Sequence, residues 1–213
     1  MGIEKGSTMS LSVDDVFNQI SPPNEDAGGG DFVRRFKIDA REGFNAVIMR
    51  EQDSDLNWVS VEKKIPFPHD LVIDIANMEI TWSNFDSTER DVIGTRLRDI
   101  MDGTVSPPKQ PSKDHSDGVR VYVSSEELFP EPFRETLTNA YYAKEAFKQL
   151  YKEYQKESAK HEDEAPIVTF SKPKEKGTKK GSVVRPPSME ITGWTSRDVF
   201  DGGSSEDSDE VFR

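Results

Sequence analysis

From residue 31 onward, apolar residues recur with a period of two in short runs cut by turn formers, which confines most of the chain to strands. In the first run Phe32, Arg34, Phe36 and Ile38 interleave with Val33, Arg35 and Lys37. An extended backbone sends Arg35 and Lys37 to one face and Arg34, Phe36 and Ile38 to the other, so one face is basic and the other mainly core. Residues 39–43 read as a turn, 44–50 as a second strand, 51–55 as a polar turn and 56–65 as a third strand. Pro66 and Pro68 break the pattern before 70–82, which reads as one long or bulged strand. Further strands are expected at 118–123, 166–170 and 188–194, with a hairpin arm or loop between the last two.

One helix is expected in this β pattern. Ser124 and Glu127 have the spacing of a capping box, and Pro132 suits a first helical position. Phe133, Leu137, Ala140, Ala143, Phe147, Leu150 and Tyr154 then recur every three or four residues, a stripe that reads as core. Val13, Val16, Phe17 and Ile20 could form two turns of a second, weaker helix. Residues 84–112 carry little signal and read as a long excursion. The fold class is therefore mainly β with one long helix (α+β), and short strands in this number suit a small barrel or a sandwich.

Hydrophobic residues make up 33% of the 213 and charged residues 32%, which suits a modest core flanked by irregular ends. The division expected is a flexible N-terminal segment at 1–30, a domain at 31–197 and a disordered acidic tail at 198–213. No cysteine is present, which excludes disulfides and thiolate metal sites and points to a reducing, cytoplasmic setting. No apolar run is long enough to span a bilayer, and the N-terminus lacks a signal peptide's apolar centre.

Charge is where function begins to show. The net charge of −12 conceals two opposed blocks. Residues 172–185 carry Lys172, Lys174, Lys176, Lys179, Lys180 and Arg185 against Glu175, whereas 198–213 carry six acidic residues against Arg213. No phosphate-cradling glycine loop, nucleophile elbow or metal-spaced histidine set appears, so no enzyme and no cofactor is expected. Asp39, Asp70 and Asp74 could serve a metal-dependent nuclease only if the fold gathered them, and turn or strand-end roles account for them more simply.

Binding to a single strand of nucleic acid requires cations for phosphates and aromatic faces for bases. Arg34, Arg35, Lys37, Arg41, Lys63 and Lys64 lie among Phe32, Phe36, Phe44 and Trp58 in the first three strands, and Trp82 ends the fourth. The candidate contacts are those six cations, Trp58, Trp82, and Lys172, Lys174, Lys176, Lys179 and Lys180. In the tail, a Gly-Gly-Ser-Ser linker precedes the acidic run 206–210 and Phe212. That run mimics phosphates and could occupy a basic groove, while Asp207, Asp209, Glu210 and Phe212 offer an anchor for partners. The alternative is a non-enzymatic structural or adaptor protein of a virion or assembly complex.

The strand at 32–38, the strand pair around 74–82 and 118–123, the closing Ile191-Thr192-Gly193-Trp194 and the tail at 206–212 together resemble bacteriophage single-stranded DNA-binding proteins with acidic C-terminal tails. The resemblance spans about 31–213 and is one of layout. It implies an OB-like small β-barrel, single-stranded DNA as ligand, and a role in DNA replication or recombination with partner proteins recruited through the tail. Two features depart from it: the chain ends in Arg213 rather than an aromatic, and 83–117 has no counterpart in a minimal barrel.

Overall fold

The computed structural model describes residues 11–20, 35–52, 54, 58–84, 91–130, 132–178 and 181–201, with the backbone alone at 18–20, 50, 58 and 201. The first elements among the described residues are helix α1 (Val13–Ile20) and the strands β1 (Phe36–Asp39), β2 (Phe44–Gln52), β3 (Trp58–Ile65) and β4 (His69–Ile73). A 3₁₀ turn (Ile75–Asn77) leads to β5 (Glu79–Asn84), β6 (Asp91–Arg96) and the short helix α2 (Leu97–Met101). Next come β7 (Ser116–Ser124), β8 (Arg134–Thr138), the long helix α3 (Tyr141–Glu157) and β9 (Glu164–Ser171). A small hairpin of β10 (Lys176–Gly177) and β11 (Val183–Val184) precedes β12 (Ser188–Ser196) and one helical turn, α4 (Asp198–Asp201).

Strand β7 is the hub of the main sheet. Along one edge it pairs with β8. Along the other it takes β5 over Ser116–Arg120 and β4 at Val123 and Ser124. β9 and β12 extend the sheet beyond β4, and β6 extends it beyond β5, so the sheet forks. β1, β2 and β3 form a separate antiparallel meander. Among the contacts that join it to β8 are a parallel bridge between Arg35 and Glu135 and a 2.9 Å bond from the buried Arg134 guanidinium to the Ile48 carbonyl. The architecture is α+β, mostly strand with one long helix, and no closed barrel forms among the described residues.

The core lies between the sheets and the helices. α1 buries Val13, Val16 and Phe17 beside Leu97 and Ile100 of α2 and Phe147 and Leu150 of α3. Thus part of the segment expected to be flexible packs into the core. Asp14 fixes the helix further by accepting bonds from Lys148 at 2.9 Å and Lys152 at 2.6 Å. Those partners hold its carboxyl below the usual aspartate range, Lys152 contributing most.

Five expectations from the sequence are corrected. The single strand at 70–82 is two strands, β4 and β5, lying along the same edge of β7 and parted by the 3₁₀ turn. The excursion at 84–112 contains β6 and α2. The long helix starts at Tyr141, nine residues after Pro132, because Phe133 is not helical and Leu137 belongs to β8, where it pairs with Arg120. Ser124 ends β7 and donates its hydroxyl to the Pro132 carbonyl at 2.5 Å instead of capping a helix. The tail, expected to be irregular from Asp198, opens with α4, whose Phe200 ring lies 6.0 Å from that of Phe133. The rest of the tail, with Asp207, Asp209, Glu210 and Phe212, lies outside the described residues.

Candidate nucleic-acid interface

Register places two lysines over one aromatic ring. Lys37 of β1 pairs with Ala46 of β2, Ala46 pairs with Lys64 of β3, and Asp39 pairs with Phe44 in the neighbouring row. Period-two geometry puts these residues on the face of the meander turned away from Phe36, Ile38 and Val47, which are buried in the core. Ala46 is fully buried between the two lysines. The ammonium groups of Lys37 and Lys64 lie 5.1 Å and 4.0 Å from the centre of the Phe44 ring.

The two cations are differently committed. Lys37 lies 2.8 Å from Glu62 and 3.4 Å from Asp39. Burial works against its charge, but the Glu62 and Asp39 contacts outweigh it and raise its pKa. Lys64 has no carboxylate partner among the described residues, so its charge is the freer for an incoming anion.

The basic arm is fastened to this face through Arg185. Its N–H donates to the Ala40 carbonyl at 2.8 Å, and its guanidinium donates to the Arg41 carbonyl at 3.4 Å and to Glu175 at 2.6 Å. The aliphatic stem of Arg185 lies over Gly43. That residue has a φ of +72°, and a Cβ there would come within 2.6 Å of the Arg185 Cβ. Asp39 shapes the same turn by accepting the N–H groups of Arg41 and Glu42 at 3.0 and 2.9 Å. A shallow cleft results, lined by Asp39, Phe44, Phe67, Phe170, Pro173 and Arg185 among others. Lys172 and Lys174 flank Pro173 in exposed positions, and Lys176 stands 5.6 Å over the Tyr142 ring.

His69 supports the cleft from below. Its ring stacks on Phe170 and on Phe67, each at 5.3 Å between centres. Nδ1 lies 3.0 Å from the Pro66 carbonyl and Nε2 lies 3.1 Å from the Asn45 side-chain nitrogen. Burial lowers the imidazole pKa, which suits a neutral ring donating from Nδ1 and accepting at Nε2.

The candidate contacts therefore divide by position. Lys37 and Lys64 lie over Phe44, Arg41 belongs to the turn that Arg185 fastens, and Lys172 and Lys174 flank Pro173 of the cleft, with Lys176 farther along the arm. Lys63 pairs with Val47 and takes the opposite face of β3. Arg35 is half-buried at the junction of β1 with β8. Trp58 pairs with Gln52 at the far end of β2 and β3. Trp82 stands on the other arm of the main sheet, where its indole donates to the Pro108 carbonyl at 2.8 Å. Arg34, Lys179 and Lys180 lie outside the described residues. Phe44 and Arg185 were absent from the candidate contacts, yet they organise the cluster. Their signals were a phenylalanine directly after a Gly turn and an arginine closing the basic block.

The remaining conspicuous groups serve packing. Trp194 stacks on His161 at 4.1 Å and tilts against Tyr154 at 5.8 Å, joining β12 to α3. Arg197 binds the buried Asp74 at 2.7 Å, and Asp70 accepts the Thr169 hydroxyl at 2.6 Å. Asp39, Asp70 and Asp74 thus have separate roles, and no group of three or more His, Cys, Asp or Glu among the described residues could hold a metal ion. No protein-family model, curated protein or solved structure matches the chain.

Proposed function

We propose that this chain is a sequence-nonspecific single-stranded DNA-binding protein of bacteriophage type, acting in the cytoplasm in DNA replication or recombination. The observation that carries the reading is Phe44 beneath the Lys37 and Lys64 ammonium groups, with the basic arm fastened beside it by Arg185. An aromatic ring and two lysines on one outward face, with further exposed lysines on the adjoining arm, supply the two components that sequence-tolerant single-strand binding requires. In this reading residues 31–197 are an OB-like unit, and Lys64, Lys172 and Lys174 take the phosphates. The acidic run at 206–210 competes for the same face, and Phe212 with its acidic neighbours recruits partner proteins once DNA has displaced the tail.

The test is fluorescence anisotropy of labelled oligonucleotides of differing sequence with the full chain and with a chain ending at Asp201, at two salt concentrations. Binding that weakens with salt, varies little with sequence and tightens on truncation is the expected result. Absence of binding by both forms refutes the reading.

A further inference from the structure

β3 is an edge. Its inner side pairs with β2 from Trp58 to Ile65, and no described strand pairs with its outer side. A long edge strand presents unpaired N–H and C=O groups that another chain can complete. Apolar residues also reach this edge. Val59 is 36% exposed, Val61 is half-buried, and Val61 pairs with Met49 of β2, which packs against the core.

We propose that a second copy of this chain occupies this edge, pairing β3 with β3 antiparallel about a twofold axis at Val61. Charge favours the antiparallel direction and disfavours the neighbouring registers centred on Glu62 and Lys63. Lys63 and Lys64 stand at the end of β3 nearest the body of the protein, while Glu51, paired with Val59, stands toward the other end. Antiparallel pairing sets the basic end of each strand beside the acidic end of the other copy's hairpin. With Val61 on the axis, Ser60 faces Glu62 and Val59 faces Lys63, so the row Glu51–Val59–Lys63 forms twice. Centring on Glu62 or on Lys63 instead sets like charges directly opposite, which costs stability. The result is a six-stranded sheet with the two Met49–Val61 pairs joined in one apolar row. In it the two Phe44–Lys64 faces become one continuous surface, a consequence that rests on the DNA-binding reading, whereas the pairing itself does not.

The chain has no cysteine, so a single introduced one reports the register cleanly. Val61→Cys places two thiols opposite each other, within the reach of a disulfide, whereas Lys63→Cys leaves them several residues apart. With the full chain and no nucleic acid, mild oxidation should give the covalent dimer with Val61→Cys and little with Lys63→Cys. Sedimentation of the unmodified chain should show a monomer–dimer equilibrium that shifts with concentration, and exposed Val59→Lys should abolish it with unchanged circular dichroism. A monomer at every concentration, or cross-linking by Lys63→Cys that equals or exceeds that of Val61→Cys, overturns the proposal. DNA binding by a chain that stays monomeric would sink the pairing alone. Dimers that bind no oligonucleotide would sink only the DNA-binding reading.

Discussion

Three aromatic rings, those of Phe36, Phe67 and Phe170, and the Asn45 side-chain amide surround His69, and burial among them bears on its charge. Burial depresses its pKa from 6.5, while the Pro66 carbonyl opposes the shift. As pH falls below about 6.5 the unfolded imidazole takes up a proton that the folded one still refuses, so the unfolded state binds more protons and stability drops. The contribution is complete above that pH and is lost as pH falls through the folded pKa. Because the ring is partly exposed, the loss should be well under the ~1.4 kcal/mol per pH unit available to one fully responsive group. Urea midpoints measured from pH 7.5 to pH 5 should decline for the wild type and decline less for His69→Phe. Parallel declines would show that His69 does not titrate in this window.

At the scale of elements, the β1–β2 turn and the arm act as one unit because Arg185 crosses Gly43. Gly43→Ala adds a Cβ where the Arg185 stem lies and forces a left-handed backbone on alanine, a cost of roughly 1 kcal/mol. The arm should detach. Amide exchange at 172–185 should speed up and oligonucleotide affinity should fall, while Ser204→Ala in the tail linker changes neither. α1 offers a second case. Val16 is fully buried, so Val16→Ala removes about two methylene equivalents and should lower stability by roughly 1.5 kcal/mol in denaturant titration. No measurable loss would mean that α1 is undocked in solution.

The same elements show what was legible in the sequence. β1, β2, β9 and β12 follow from alternation bounded by Gly, Pro and Asp, and the two turns of α1 follow from its four spaced apolar residues. The start of α3 was misplaced because Phe133 and Leu137 extend its stripe by fours, while Arg134-Glu-Thr-Leu-Thr138 also alternates and pairs along β7. Tertiary pairing decided between the two patterns. β6 was missed for a related reason, since a short run with Gly94 at its middle becomes a strand through its partner β5. At the site, alternation separated Arg35 and Lys37 from the core face. It could not bring Lys64 over Phe44 or Arg185 over Gly43, contacts that depend on register and on chain segments more than 140 residues apart in the second case.

For the whole molecule, the fork at β7 separates two regions. One arm carries β5 and β6 with Trp82 tied to Pro108, and the meander on the other side carries Phe44, its lysines and the arm. The central claim is that DNA binds one face of that meander, and adjacent lysines on opposite faces of β3 test it. The measurement is the slope of log binding constant against log salt for a labelled oligonucleotide, taken with the wild type, Lys63→Ala and Lys64→Ala. Lys64→Ala should weaken binding and reduce the slope by about 0.7, one single-strand phosphate contact, while Lys63→Ala leaves both near the wild-type values. A loss with Lys63→Ala that equals or exceeds that with Lys64→Ala would contradict the account.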